Sequence, residues 1–70
     1  MEKNINVRNR IRVIRAEKRI SQSELAEDVG VSRQTISAIE NEIFNPSIKL
    51  VFLICAALDK CVEEVFYVEG

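Results

Sequence analysis

The only glycine inside the chain, Gly30, stands between two stretches of helical periodicity, and Val31 alone separates it from Ser32. A glycine placed there ends one helix, because the residue past a helix C-terminus often takes positive φ. A serine two residues later caps the next helix. Few folds accommodate two helices joined so tightly. The rest of the 70-residue chain has little to build long loops from, with Pro46 its one proline and Gly70 its one other glycine. Helices with short connections are therefore expected. A chain this short forms one domain, residues 1–70, and buries only about 60% of the surface its unfolded form exposes.

Val7, Ile11 and Ile14 recur at helical spacing and predict a first helix over residues 7–18. Ser21-Gln22-Ser23-Glu24 has the form of a capping box opening a second helix, whose stripe is Leu25, Ala26 and Val29. Ser32 caps a third helix that runs to about Asn41, with Ile36 and Ile39 inward. Asn45-Pro46-Ser47 starts a fourth, with Pro46 in its first turn, carrying Ile48 to Leu58. A short fifth helix over residues 62–66 has Glu63 and Glu64 near its N-terminus, where the helix dipole favours them. Residues 4–7 and 66–68 are candidates for a small two-stranded pairing.

Composition removes most catalytic chemistry. The chain has no His and two Cys, Cys55 and Cys61, too few ligands for a zinc site. Two glycines forty residues apart make no phosphate loop. No enzyme activity, cofactor, metal or small-molecule ligand is expected. The longest apolar run, Leu50 to Leu58, is nine residues, against about 20 for a bilayer span. The first residues lack a signal-peptide pattern. A soluble, cytoplasmic protein without membrane contact is expected, its thiols reduced and used for packing, although sequence alone leaves a disulfide open.

The net charge of −1 hides a division. Residues 1–35 carry eight Lys/Arg against five acids, and residues 36–70 carry two against six. One basic face and one acidic end account for this, and an ordinary solvated helix face accounts for it equally well. The third helix is more telling. Its outer positions Arg33, Gln34, Thr35 and Ser37 are all hydrogen-bond donors and none is acidic. Together with Ala26, small enough for close helix crossing, and the Gly30 turn, residues 22–41 have the pattern of a helix-turn-helix. The plainer alternative is a helix-turn-helix kept as packing architecture that binds protein.

The segments Ser21-Gln-Ser-Glu-Leu-Ala, Val29-Gly-Val-Ser-Arg-Gln-Thr-Ile-Ser, Ile39-Glu-Asn and Asn45-Pro-Ser closely resemble the Cro/lambda-repressor-like (XRE) regulators over roughly residues 8–66. The resemblance implies an all-α, compact five-helix DNA-binding domain, acting as a homodimer on an inverted-repeat operator in double-stranded DNA, as a repressor. It places the third helix in the major groove, with base contacts from Arg33, Gln34, Ser37 and Ala38. Arg33 suits guanine, Gln34 suits adenine, and Ala38 offers only a methyl contact. It implies backbone contacts from Gln22, Ser32, Thr35, Asn41, Asn45 and Arg10, with Arg8 and Arg12 as flanking charge. It also implies an internal ion pair, Arg15 with Glu40.

Two departures from the family bear on partners. Leu53 and Ala56 stand where polar residues are common, so the fourth helix is expected to be buried on more than one side, or to offer Leu53 to an interface. With Val62, Phe66, Tyr67 and Val68, Leu53 forms the expected dimer surface. An antitoxin or adaptor that binds another protein through the helix-four face is the rival reading. Cys61 replaces the usual hydroxyl cap of the fifth helix and is expected to cap poorly; a structural role is preferred to redox sensing.

Overall fold

The structure, a computed structural model, describes residues 5–69. In chain order it contains β1 (Asn6–Asn9), α1 (Ile11–Lys18), α2 (Gln22–Val29), α3 (Arg33–Glu40), α4 (Ile48–Leu58), α5 (Val62–Val65) and β2 (Phe66–Glu69). Five helices surround one core, and β1 and β2 pair antiparallel. The core is Ile11 and Ile14 of α1, Leu25, Ala26 and Val29 of α2, Ile36 and Ile39 of α3, Ile54, Cys55 and Leu58 of α4, and Val65 of α5.

The first helix begins at Ile11, four residues later than its periodicity suggests. Val7 lies in β1, opposite Val68, and the register continues through Arg8↔Tyr67 to Asn9↔Phe66. The expected pairing of residues 4–7 is thus shifted toward Asn9, and Asn4 lies outside the described residues. Two hydrogen bonds explain the late start. The Arg10 amide donates to the Val65 carbonyl at 2.8 Å, and the Asn9 side-chain oxygen accepts from the Ile11 amide at 3.2 Å. They end the strand and satisfy one of the orphan N–H groups at the helix start. The fifth helix stops one residue early, because Phe66 is already extended.

The caps of α2, α3 and α4 are serines. Ser21 accepts from the Glu24 amide at 3.0 Å while its own amide donates to the Glu24 carboxylate at 2.9 Å, completing the capping box. Ser32 and Ser47 accept from the Thr35 and Leu50 amides, each at 3.2 Å. Ser47 rather than Pro46 therefore marks the start of α4, and Pro46 precedes the cap. In α5 the Cys61 amide donates to the Glu64 carboxylate at 2.8 Å. That carboxylate, as hydrogen-bond partner and as negative charge, pushes the Cys61 thiol above its ordinary pKa. Both cysteines are free, Cys55 buried and Cys61 exposed.

The fourth helix is not buried on more than one side. It buries Ile54, Cys55 and Leu58 and half-buries Leu50, Val51 and Ala57, while Ile48, Phe52, Leu53 and Ala56 are exposed. Its neighbours α2 and α5 cover one flank, and so short a chain supplies no second layer. No helix among the described residues is long and apolar enough to cross a membrane.

Left-handed residues terminate α1 at Arg19 (φ 57°), α2 at Gly30 (φ 80°) and α4 at Asp59 (φ 57°). Only one of the three is glycine. Nothing lies within 4 Å of a Cβ built on Gly30, so Gly30→Ala is expected to lose about 1 kcal/mol through backbone conformation alone. Arg19→Gly is expected to gain up to about 1 kcal/mol for the converse reason. Thermal unfolding followed by circular dichroism checks both; equal midpoints for the two variants would mean no strain is held at these ends.

Candidate nucleic-acid interface

The outer face of α3 is fixed from behind by one buried carboxylate. Glu40, the last residue of α3, has a side chain only 1% exposed. Arg15 of α1 grips it with two parallel bonds, Nε to Oε2 at 2.7 Å and Nη2 to Oε1 at 3.1 Å. The remaining Arg15 nitrogen, Nη1, donates to the Ile20 carbonyl at 3.0 Å, which locks the guanidinium plane. Arg12, one turn earlier, lies 3.6 Å from Oε1. Burial on its own would raise the Glu40 carboxyl, but the hydrogen bonds from Arg15 and Gln22 and the charges of Arg15 and Arg12 outweigh it. The group is held below the usual carboxylate range.

Gln22 carries this anchor forward to the exposed end of α3. Its Nε2 donates to Glu40 Oε1 at 2.9 Å, and its Oε1 accepts from Arg33 Nη1 at 3.2 Å. A carboxylate only accepts and a guanidinium only donates, so a single orientation of the amide satisfies both neighbours. A second branch runs along the other flank. Arg12 Nη2 donates to Asn41 Oδ1 at 3.1 Å, and Asn41 Nδ2 donates to Ser37 Oγ at 3.4 Å. Among the described residues no buried side-chain nitrogen or oxygen lacks a partner.

Most of the residues singled out from sequence therefore meet on one surface. Arg33 and Gln34 are exposed at the first turn of α3, while Ser37 and Ala38 are half-buried one turn on. Ser32 and Thr35 share a hydroxyl hydrogen bond at 3.0 Å. Two residues stand apart. Arg10 lies over the Tyr67 ring, 4.1 Å from its centroid, and lines a shallow recess with Val13, Glu17, Lys60 and Glu64. At 100° per residue, position 10 falls on a different side of the chain from positions 12 and 15, so it does not join the Glu40 group. Asn45 is exposed in the α3–α4 loop but lines an apolar groove with Pro46 and Ile48.

Sequence reasoning gave Arg12 only a flanking charge and missed its link to Asn41. The signal was its i, i+3 spacing from Arg15, which puts both on one face of α1. The relay through Gln22 had no sequence signal, since it depends on how α2 crosses α3.

With this geometry in place, the sequence matches the helix-turn-helix family profile over residues 11–64. The chain belongs to the XRE-type helix-turn-helix family of transcriptional regulators. It is similar to the uncharacterized HTH-type transcriptional regulator YgzD of Bacillus subtilis, at 41% identity over 63 residues, covering 90% of this chain and 96% of that one. It is likewise 40% identical over 63 residues to the uncharacterized HTH-type regulator MJ0272 of Methanocaldococcus jannaschii, with the same coverage of 90% and 96%. Among solved structures it resembles the master regulator for biofilm formation SinR in complex with DNA. The TM-score is 0.70 and the identity 42%, over 76% of this chain and 86% of that one. A putative DNA-binding protein from Bacteroides fragilis superposes with a TM-score of 0.79 at 30% identity, over 87% of this chain and 98% of that one. This XRE-type regulator is accordingly a DNA-binding protein.

Because the folded Glu40 carboxyl sits below its unfolded value, its stabilisation is fully present above about pH 4.3. It fades as pH falls through the lower folded value. Glu40→Gln is expected to cost roughly 3 kcal/mol at pH 7, since the Arg15 charge loses its counter-ion. Urea unfolding at pH 7 and pH 3 checks this. The gap between wild type and variant is expected to shrink in acid, and a constant gap would exclude ionised Glu40 as its source.

Proposed function

We propose that the protein is a repressor that binds an inverted-repeat operator as a homodimer, with α3 in the major groove. The observation that carries this reading is the Glu40–Gln22–Arg33 relay, which holds an exposed guanidinium in place at the first turn of α3. A side chain ordered before binding loses less entropy on contact, so such a tether favours recognition over general charge attraction. Arg33 then pairs with guanine O6 and N7 and Gln34 with adenine N6 and N7. Ser37 and Ala38 contact the next base pair along the groove. Gln22, Ser32, Thr35 and Asn41 serve the phosphates and fix register, with Arg12 beside Asn41 in place of Arg10. Two copies of α3 about 34 Å apart match half-sites one helical turn apart. Occupancy of DNA needed by RNA polymerase is the means of repression, and the SinR–DNA complex supports the groove assignment by likeness.

Fluorescence anisotropy against the DNA upstream of the gene and a scrambled duplex, at two salt concentrations, tests the reading. Both affinities are expected to fall with salt as counterions are released, with the upstream duplex bound far more tightly. Arg33→Ala is expected to cost about 1–3 kcal/mol and to erase the preference. Equal, weak binding of both duplexes at every salt would move the function to a protein partner. Arg15→Ala is expected to lower both the thermal midpoint and the affinity, because it releases the end of α3. A variant unchanged in both would show that the Arg15–Glu40 pair positions nothing.

A further inference from the structure

The terminal strand β1 holds the C-terminal end of α3 at two points. Asn9 Nδ2 donates to the carbonyl of Ile39, in the last turn of α3, at 3.0 Å. One residue earlier, Arg8 Nε donates to Glu42 Oε2 at 2.6 Å, while its Nη1 donates to the Glu69 carboxylate at the end of β2. Glu42 is the residue on which the chain turns out of α3. Its amide donates to the Ile39 carbonyl at 3.0 Å and the next amide, of Ile43, to the Ala38 carbonyl at 2.9 Å, the two bonds of a Schellman turn. That turn needs a left-handed residue, and Glu42 supplies it at φ 63°. Glycine adopts this conformation freely, and glutamate does not. The preceding residue, Asn41, belongs to the Arg12–Ser37 branch at the edge of the α3 outer face.

We infer that Arg8 is a positioning residue for DNA binding, acting through Glu42: it neutralises that acid, steadies the left-handed turn, and so ties the loop that carries Asn41 to the terminal strands. The inference rests on the DNA reading and takes Arg8 out of the flanking charge that the family resemblance implies. Three observations support it. A free carboxylate next to Asn41 stands well inside the roughly 10 Å over which a phosphate is repelled in salt solution, and Arg8 cancels that charge. The guanidinium is shared between two carboxylates, so it has no positive charge to spare for a phosphate of its own. The Asn9 bond falls on the same Ile39 carbonyl that receives the Glu42 amide, so strand and turn are already in register where the ion pair forms. A pair set in such a network is worth more than an isolated surface pair.

Fluorescence anisotropy of the full chain on the upstream duplex, over a series of salt concentrations, tests the proposal with one variant and its rescue. Arg8→Ala is expected to weaken binding about five-fold for each copy bound, with the helical circular dichroism spectrum retained. Adding Glu42→Gly removes the acid and the left-handed cost together, and the double variant is expected to regain wild-type affinity. An Arg8 that itself touched a phosphate would behave otherwise. Its loss would lower the salt slope by about one, and Glu42→Gly would restore none of the affinity. Unchanged binding by Arg8→Ala, or a loss that persists in the double variant, overturns the inference. Should Arg8→Ala fail to fold, the double variant decides alone: wild-type affinity supports the inference and lost affinity overturns it. Specific binding that Arg33→Ala erases, without rescue at Glu42, removes only the role of Arg8 and leaves the DNA reading standing. Equal, weak binding of upstream and scrambled duplexes by the wild type overturns both.

Discussion

The fold turns on a carboxylate that has no business being ionised where it sits. Glu40 is almost wholly removed from water, and burial alone would favour its neutral form. Two guanidiniums from α1 and an amide from α2 reverse that preference, and doing so requires all three helices to hold their relative positions. Removing Arg15 leaves the buried charge without its principal partner, a far larger loss than that of an exposed ion pair. The last residue of α3 is thereby fixed to α1, and through Gln22 the first turn of α3 is fixed to the same point. An eight-residue helix held at both ends has little freedom to tilt.

Elsewhere the chain obtains order from few residues. A core built mostly from Ile, Leu and Val spans all five helices, serine caps start α2, α3 and α4, and left-handed residues end α1, α2 and α4. The terminal strands add a tie that packing alone does not supply. Arg8 in β1 binds Glu69 of β2 and, at 2.6 Å, Glu42 in the loop after α3. The sheet is thus joined to the loop that carries Asn41 and Asn45. Glu42 is itself left-handed, with φ 63°, and the Arg8 contact offsets part of what that conformation costs.

Local features of the sequence foretold more than relational ones. The capping box at Ser21, the Gly30 stop, the Ser32 cap and the inward stripe of α3 follow from contacts within four residues, and the structure has each of them. The start of α1 did not follow, because Val7 fits a helical period and a strand equally well. Only its partner Val68, distant in sequence, decides between them. Arg19 and Asp59 ended helices without glycine, so nothing marked them. For the interface, residue types on α3 were enough to identify its outward face, while the Gln22 relay and the displacement of Arg10 depend on helix crossing angles. The uninterrupted apolar run of α4 misled for a related reason: hydropathy shows what a helix can bury, and the number of neighbours decides what it does bury.

That excess of apolar surface and the polar outer face of α3 meet at the α3–α4 loop. Residues 41–47 begin with Asn41, which belongs to the Arg12–Ser37 branch, and end with Pro46 and Ser47, beside the apolar groove. Between them the Ile43 and Phe44 amides donate back to the Ala38 carbonyl at 2.9 and 3.3 Å, so the loop continues the packing of α3. A rigid connection of this kind fixes the distance and angle between the α3 outer face and the exposed flank of α4. The loop thereby sets where the α3 outer face lies relative to that flank. The placement of that face is then a property of the loop's backbone hydrogen bonds as much as of the side chains α3 presents.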